Sequence, residues 1–338
     1  MNARSRISVA GHVCVDLAPG LHREPPREPG GLFDVGKLTV TVGGCVGNTA
    51  LALAGFGIDV DVQAVVGADA LGAIARDELA SAGIRSSRLR SVDVGTSYSV
   101  VIEPPGQDRT FWHHTGANDL FDGSEVDLTG LDLLHIGYPM LLPALVADDG
   151  EPLRRLLARA KAADVTTSLD LAVLDADGPT GSVDWTRLFE RIAPYLDILT
   201  PSFDDLVSMT RRTTEWSIEQ ERGFADSLLH AGVGIVAISA GARGMSVRTA
   251  DAARLRVAGR ALAPQADTWA DRAFRHEVDE VVRPVSTNGA GDASTAGFLA
   301  AVLGGREPRD AAEWAAAASR AVLEGRRPQA ADLAAGLV

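Results

Sequence analysis

From about residue 44 onwards, the apolar positions of the chain follow two alternating patterns. Short, nearly continuous runs rich in β-branched residues predict buried strands, and stretches with apolar residues three or four positions apart predict helices. The predicted helices are NTALALAGFG, LGAIARDELASAG, EPLRRLLARAKAAD, WTRLFERIAPY and FADSLLHAG, and the predicted strands are DVDVQAVVG, LDLLHIG, VTTSLDL, LDILTPS and VGIVAISAG. Ahead of them, ISVAGHVCVDLA predicts a first core strand. This alternation indicates an α/β fold with a mostly parallel sheet and helices on both faces.

Two segments interrupt the alternation and contain no helical pattern. Residues 17–42 hold the Pro-rich HREPPREPGG followed by the alternating KLTVTV, and residues 96–113 predict a β-hairpin. We expect both segments to join in a small antiparallel sheet, called the lid here, beside the mouth of one domain that spans residues 1–338. Such a lid would exclude water from reacting groups. A surface hairpin without a function is the plain alternative.

Length, composition and charge restrict the class of protein. The 338 residues are 46% hydrophobic and 23% charged, which is typical of a globular chain with a sizeable core. A formal net charge of −13 disfavours a nucleic-acid or anionic-membrane partner. The chain shows no signal-peptide pattern and no apolar run close to the roughly 20 residues of a membrane span, so we expect a cytoplasmic protein. Cys14 and Cys45 are too few for a disulfide framework, which agrees with a reducing compartment.

The segment STNGAGD, residues 286–292, places small residues between the strand-like EVVRPV and the helix-like ASTAGFLAAVLGG. We expect Gly289, Ala290 and Gly291 to form a tight turn whose amides meet at a helix N-terminus, where anions are attracted. Asp292 would then accept a proton from a hydroxyl that attacks a phosphoryl group held by these amides. The alternative is an ordinary glycine turn in which Asp292 caps the helix.

Two further glycine turns follow predicted strands. In VGGCVGNTALALAGFG, Gly43 and Gly44 would let the backbone approach a ligand, or would simply form a turn capped by Asn48. The spacing is not G-x-G-x-x-G, so a dinucleotide oxidoreductase is disfavoured. In AISAGARGMSV, a strand–turn–strand hairpin would carry Arg243 at its tip, where a guanidinium is suited to bridging phosphates.

Taken together, these stretches resemble the PfkB or ribokinase-like carbohydrate kinases. The resemblance rests on VGGCVGNTALALAGFG, VVGADALG, DRTFWHHTGAND, DILTPSFDDLVSMT, SAGARG and STNGAGD, which occur in the order of the family. They cover nearly the whole chain, from Val9 to about Gly325.

The resemblance implies a ribokinase-like domain with a β-sheet lid, and transfer of the ATP γ-phosphate to a hydroxymethyl group of a sugar or sugar-like molecule. By position, Asp292 matches the catalytic base, and Gly289, Ala290 and Gly291 match the anion hole. Positions that match substrate contacts are Asp16, Gly43, Gly44, Asn48 and Arg109. Positions that match nucleotide contacts are Ser202, Ser239, Gly241, Arg243, Gly244 and Asn288. Mg²⁺ is implied as the partner of ATP, with Asp205 at the position of a metal contact.

The chain departs from the family pattern at several positions. Ser286 replaces the usual aspartate, which puts activation by a monovalent cation in doubt. Ser202 and Asp205 form a shorter version of the N-x-x-E pair, and Ala315 stands where an asparagine is common beside adenine. Residues 264–280 have no counterpart in the pattern and are interpreted as a surface insertion near the nucleotide.

Two other functions stay open. The aromatic FWHH of the lid could stack on a base, through Phe111 or Trp112, or line the acceptor site through His114, so a nucleoside is an alternative acceptor. A non-catalytic sugar or nucleotide sensor of the same fold is the alternative from another class. The resemblance also implies a possible homodimer formed through the lid.

Overall fold

β-branched runs of the chain lie side by side in one large sheet, and a smaller sheet stands beside it. The structure, a computed structural model, describes residues 5–335 apart from 27–28, 211–213, 280 and 282–283. The strands are β1 Arg6–Gly11, β2 Cys14–Pro19, β3 Leu38–Gly43, β4 Asp59–Gly67, β5 Arg85–Val92, β6 Tyr98–Ile102, β7 Thr110–His114, β8 Leu133–Gly137, β9 Thr166–Asp170, β10 Ile198–Leu199, β11 Ile235–Ser239, β12 Met245–Thr249 and β13 Ala273–His276. The helices are α1 Gly44–Gly55, α2 Ala70–Ser81, α3 Pro143–Ala162, α4 Trp185–Ile192, α5 Phe203–Thr210, α6 Ile218–Ala231, α7 Ala252–Leu255, α8 Gly259–Leu262, α9 Ala266–Trp269, α10 Ala290–Leu303, α11 Pro308–Leu323 and α12 Ala330–Ala335.

The large sheet has the strand order β13-β12-β11-β10-β9-β8-β1-β4-β5. Its strands from β11 to β5 are parallel, and β12 and β13 are antiparallel additions at one edge. Side chains alternate along each strand, so Ile7 and Val9 of β1 pack on one face while Ala10 packs on the other. Helices α1, α10 and α11 cover the first face, and α3, α4 and α6 cover the second. The predicted parallel sheet with helices on both faces is confirmed.

The lid is a separate sheet of strand order β3-β2-β6-β7. The predicted hairpin forms as the antiparallel pair β6–β7, and β2–β3 is antiparallel as well. The expectation of a purely antiparallel sheet is wrong at its centre, because β2 and β6 pair in parallel. These two strands leave the same edge of the large sheet, β2 from the end of β1 and β6 from the end of β5, so they run in the same direction.

Two expectations about single segments need correction. The run ISVAGHVCVDLA is two strands, because the chain turns at Gly11 (φ +112°) and passes from the large sheet into the lid. Residues 264–280 are not a surface insertion in their described part. Trp269 of α9 is fully buried against Phe298, with ring centroids 5.7 Å apart, and β13 extends the sheet beside β12.

The strand predicted from EVVRPV falls partly on residues 280 and 282–283, which lie outside the described residues; Val281, Pro284 and Val285 are not in a strand. Within the ranges described above, no helix has both the length and the apolar character that a membrane crossing needs.

Candidate active site

Asp292 lies in the first turn of α10 and is 3% exposed. Three side chains from two other elements donate hydrogen bonds to its carboxylate. Asn48 Nδ2 lies 2.9 Å from Oδ2, Thr49 Oγ1 lies 3.3 Å from Oδ1, and Tyr138 OH lies 2.7 Å from Oδ1. Burial raises the pKa of Asp292, while these three hydrogen bonds act in the opposite direction. The carboxylate is therefore fixed in orientation and more basic than an exposed one.

The turn before α10 brings Gly289, Ala290 and Gly291 to the start of that helix. Gly289 has φ +78°, a left-handed conformation that glycine adopts without strain, and a Cβ there would lie 3.3 Å from Asn48 Cγ. The amide of Ala290 donates to Thr287 O at 3.2 Å. Gly291 is exposed, and a Cβ added to it would meet no atom within 4 Å. The open side of this turn thus lies at the N-terminus of a 14-residue helix, where partial positive charge accumulates.

Asp16 extends from the lid toward the same region. Its carboxylate is 5% exposed and accepts a hydrogen bond from Asn288 Nδ2 at 2.9 Å. Burial raises its pKa. Gly43 makes room for it, because a Cβ at that position would lie 2.4 Å from Asp16 Oδ2. Asn288 was predicted to contact the nucleotide, but here its amide connects the glycine turn to the lid.

Gly44 makes room for a different side chain, that of His12. It has φ +71°, and a Cβ there would lie 2.5 Å from Nδ1 of His12, which is 2% exposed. Nε2 of His12 lies 3.3 Å from Nε2 of His113, and Nδ1 of His113 lies 2.9 Å from Ser99 Oγ. Burial lowers the pKa of both imidazoles, to about 4 for His113, so both are neutral at pH 7.

This histidine pair escaped the sequence analysis, which singled out His114 as a possible lining residue. Strand alternation decides between the two positions. His113 pairs with Ser99, and Ser99 pairs with Asp16, so these three lie on the face of the lid toward the site. His114 is exposed on the other face and lies against Tyr98, with ring centroids 5.5 Å apart.

The tip of the lid hairpin touches the segment before α10. The Arg109 guanidinium donates to Thr287 Oγ1 and pairs with Asp108 at 3.0 Å. Ser286, which replaces the usual aspartate, donates to Glu103 Oε2 at 3.1 Å. Arg109 therefore lies at the rim of the site and contacts the turn itself, two residues before the first glycine.

Ser202 and Asp205 form a capping box at the start of α5. The amide of Asp205 donates to Ser202 Oγ at 3.1 Å, and the amide of Ser202 donates to Asp205 Oδ2 at 2.8 Å. Asp205 is 7% exposed, and burial raises its pKa to about 6. The sequence analysis missed Asp170, a fourth buried carboxyl, which lies at the end of β9 and whose pKa is raised by burial and by the charges of Asp292 and Asp205. Its signal was only its position at the end of a predicted strand.

The predicted nucleotide hairpin exists as β11, a turn and β12. Gly241 (φ +56°) and Gly244 (φ +86°) shape the turn, and a Cβ on Gly244 would lie 2.1 Å from His276 O. Ser239 ends β11 and forms a bridge with Ser202, so these two predicted contacts lie together. Arg243 is exposed, with its guanidinium 4.9 Å from the ring centroid of Trp216.

The large sheet, its covering helices and the lid define the ribokinase-like fold. The chain is similar to a ribokinase from Arabidopsis thaliana solved with ribose and ATP, with a TM-score of 0.75 at 19% identity over 99% of both chains. It is also similar to a nucleoside kinase from Methanocaldococcus jannaschii, with a TM-score of 0.70 at 18% identity over 98% of both chains.

The family follows from the sequence as a whole. The profile of the pfkB family carbohydrate kinases matches residues 4–334, so the chain belongs to the pfkB family of carbohydrate kinases. Among curated proteins, it is 30% identical over 123 residues to an ATP-dependent ribose-1-phosphate kinase of Halopiger xanaduensis. That match covers 36% of this chain and 41% of the relative.

Proposed function

We propose that this protein is an ATP-dependent kinase that transfers the γ-phosphate to a hydroxymethyl group of a sugar or sugar-like molecule. The single observation that supports it most is the placement of Asp292, a buried and raised-pKa carboxylate, in the first turn of α10 beside Gly289 and Gly291. A base and an anion-stabilising helix terminus at one point are what phosphoryl transfer to an alcohol requires.

In the proposed reaction, Asp292 accepts the proton of the acceptor hydroxyl as its oxygen forms a bond to the γ-phosphorus. The bond from that phosphorus to the β-phosphate oxygen breaks, and ADP leaves. The amide of the exposed Gly291 and the N-terminal end of α10 stabilise the charge on the transferring group. Asp16 and Asn48 orient the acceptor hydroxyls, and the lid excludes water.

The nucleotide would lie along the ends of β10 and β11, where Ser202, Ser239 and the turn with Gly241, Arg243 and Gly244 come together. Arg243 is suited to its phosphates because a guanidinium binds oxyanions through two N–H groups. Because the Arg243 guanidinium lies over the Trp216 ring, its side chain has fewer conformations to lose when the nucleotide binds.

Magnesium fits the donor set of this site as an ion carried by the nucleotide. Asp205 and Asp170 offer hard carboxylate oxygens close to Asp292, and burial together with the charge of Asp292 raises the pKa of both. Among the described residues, no group of three or more His, Cys, Asp or Glu side chains could hold a metal by itself. Bound Mg²⁺ would neutralise phosphate charge, and Asp205 is the residue that we assign to hold it.

A nucleoside is the second candidate acceptor. Phe111 shares the lid face of His113, is 43% exposed, and lies 5.6 Å from the Arg109 guanidinium, so its ring is available for stacking on a base. Trp112 lies on the opposite face. Since the relatives include kinases named for ribose, ribose 1-phosphate and nucleosides, the acceptor panel in the test should contain all three classes.

The test compares wild type with Asp292→Asn across this panel, with ATP and Mg²⁺. We expect kcat/KM to fall by about 10²–10⁴-fold, the usual contribution of a general base, while ligand-induced thermal stabilisation is retained. Asp310→Asn, in the first turn of α11, is the matched control and should leave activity unchanged. Activity of Asp292→Asn within tenfold of wild type would overturn the role of this residue. ATP binding by wild type without turnover of any acceptor would favour a non-catalytic sensor.

A further inference from the structure

Tyr138 has an unusual backbone for a bulky residue. It follows β8 with φ 59° and ψ 55°, the left-handed region that side chains with a Cβ rarely adopt. The residues on both sides of Tyr138 are sterically restricted. Gly137 has no room for a side chain, because a Cβ there would lie 2.0 Å from Cys45 Cβ, and Pro139 follows Tyr138 directly. Strain of this kind persists only where the surroundings determine it, and it is concentrated at functional sites.

The strained turn places the phenol hydroxyl of Tyr138 within hydrogen-bond distance of Asp292. Tyr138 OH lies 2.7 Å from Asp292 Oδ1, which is the shortest of the three side-chain bonds to that carboxylate. The Tyr138 amide donates to Asp170 O at 3.2 Å, so the backbone is tied to the end of β9. The ring is partly exposed and lies beside His12, with ring centroids 5.6 Å apart. Tyr138 thus lies between the histidine pair and Asp292.

We propose that Tyr138 is a positioning residue for the reaction: its hydroxyl fixes the orientation of Asp292 and keeps that carboxylate in the ionised form that accepts a proton. The inference rests on the proposed function of Asp292. In this proposal Tyr138 does not transfer its own proton, because burial and the negative charge of Asp292 raise the pKa of the phenol well above its ordinary value.

The electrostatic surroundings explain why such a donor is needed. Several acidic or neutral groups interact with Asp292: Asp16 from the lid, Asp170 from β9, Asp205 from α5, and the thiols of Cys14 and Cys45. Burial and the nearby carboxylate of Asp16 raise the pKa of Asp292, whereas the bond from Tyr138 lowers it. Without that bond, the carboxylate should take up a proton at a higher pH.

Tyr138→Phe tests this inference, because it removes one oxygen and keeps the ring and the backbone. We expect kcat/KM at pH 7 to fall by about 10- to 100-fold, as for the loss of a hydrogen bond to a charged group. The acid limb of the pH–rate profile should move to higher pH. Tyr98→Phe, the same change in the lid away from Asp292, should show neither effect. Superimposable profiles of wild type and Tyr138→Phe would contradict the inference.

A second measurement separates this inference from the proposed function. Carboxyl ¹³C NMR titration can follow Asp292, assigned by its loss in Asp292→Asn, whether or not the protein turns over any acceptor. The apparent pKa of Asp292 should be higher in Tyr138→Phe than in wild type. If wild type phosphorylates nothing but the titration shifts, the proposed function fails and the contact stands. If the titration is unchanged, the role of Tyr138 is wrong even in an active enzyme.

Discussion

At the scale of single residues, glycines determine the geometry of the site as much as the polar side chains do, because the absence of a Cβ leaves room for those side chains. Gly43 sits where a Cβ would overlap Asp16, and Gly44 sits where one would overlap His12. The sequence analysis assigned both glycines to substrate contact because small residues allow close approach of a backbone. In the structure their first effect is to let the acidic and imidazole side chains of the lid region pack against the start of α1.

We therefore expect Gly43→Ala to displace the Asp16 carboxylate, since 2.4 Å from a carbon to Oδ2 is too short for any relaxed structure. The KM for the acceptor should rise by at least tenfold, as for a lost or misplaced hydrogen bond to a charged group, while the KM for ATP changes little. Steady-state kinetics with each substrate varied would measure both. Gly223→Ala, in α6 where a Cβ meets no atom within 4 Å, is the control. An unchanged acceptor KM in Gly43→Ala would refute the assigned role of Asp16.

At the scale of elements, the site depends on the lid and α10 being brought together. Polar contacts connect them at two places: Asn288 to Asp16 near the glycine turn, and residues 286–287 to the hairpin tip through Glu103 and Arg109. On its other side the lid is held by α2, where Glu78 Oε2 accepts from the amide of Val42 at 2.7 Å. The lid therefore lies closed over the glycine turn at the start of α10.

Removing one contact of the hairpin tip should make the lid open more readily and should leave the reacting groups unchanged. In Glu103→Ala we expect the acceptor KM to rise by about two- to tenfold, the usual value of one hydrogen bond at a partly exposed place. ATP hydrolysis without acceptor should increase as water gains access. Glu24→Ala, an exposed glutamate in the other lid segment, should change neither quantity. If both variants behave alike, the tip contact has no part in closure.

At the scale of the whole molecule, the core on one face of the large sheet supports the helix that carries Asp292. Phe298 of α10 is fully buried and packs edge-on against Trp269, with an angle of 73° between the rings. Trp269 belongs to the segment 264–280, which had seemed separate from the fold on sequence grounds. The stability of the site is thus coupled to Trp269, which lies outside the residues assigned to the site.

Trp269→Ala should destabilise the protein by about 3–5 kcal/mol, the usual cost of truncating a buried aromatic residue. The midpoint of urea unfolding would measure it. Trp112→Ala, at a lid position that is 62% exposed, is the matched control and should change the free energy of unfolding by less than about 0.5 kcal/mol. A loss at Trp269 no larger than that at Trp112 would mean that this segment does not support the core.

The hydrophobic pattern alone determined the alternating strands and helices, because buried parallel strands must be apolar on both faces and helices must present an apolar stripe. It missed β5, an edge strand with the polar sequence RSSRLRSV, since an edge strand does not need that pattern. The family resemblance likewise implied one site that contains Asp292, Asn48 and the three amides. Only the tertiary structure decided that His12, Tyr138, Asp170 and His113 join them. These residues lie far apart in the chain, and the only local signal among them is the position of Asp170 at the end of a predicted strand. They meet because parallel strands end at one edge and the lid folds back over it.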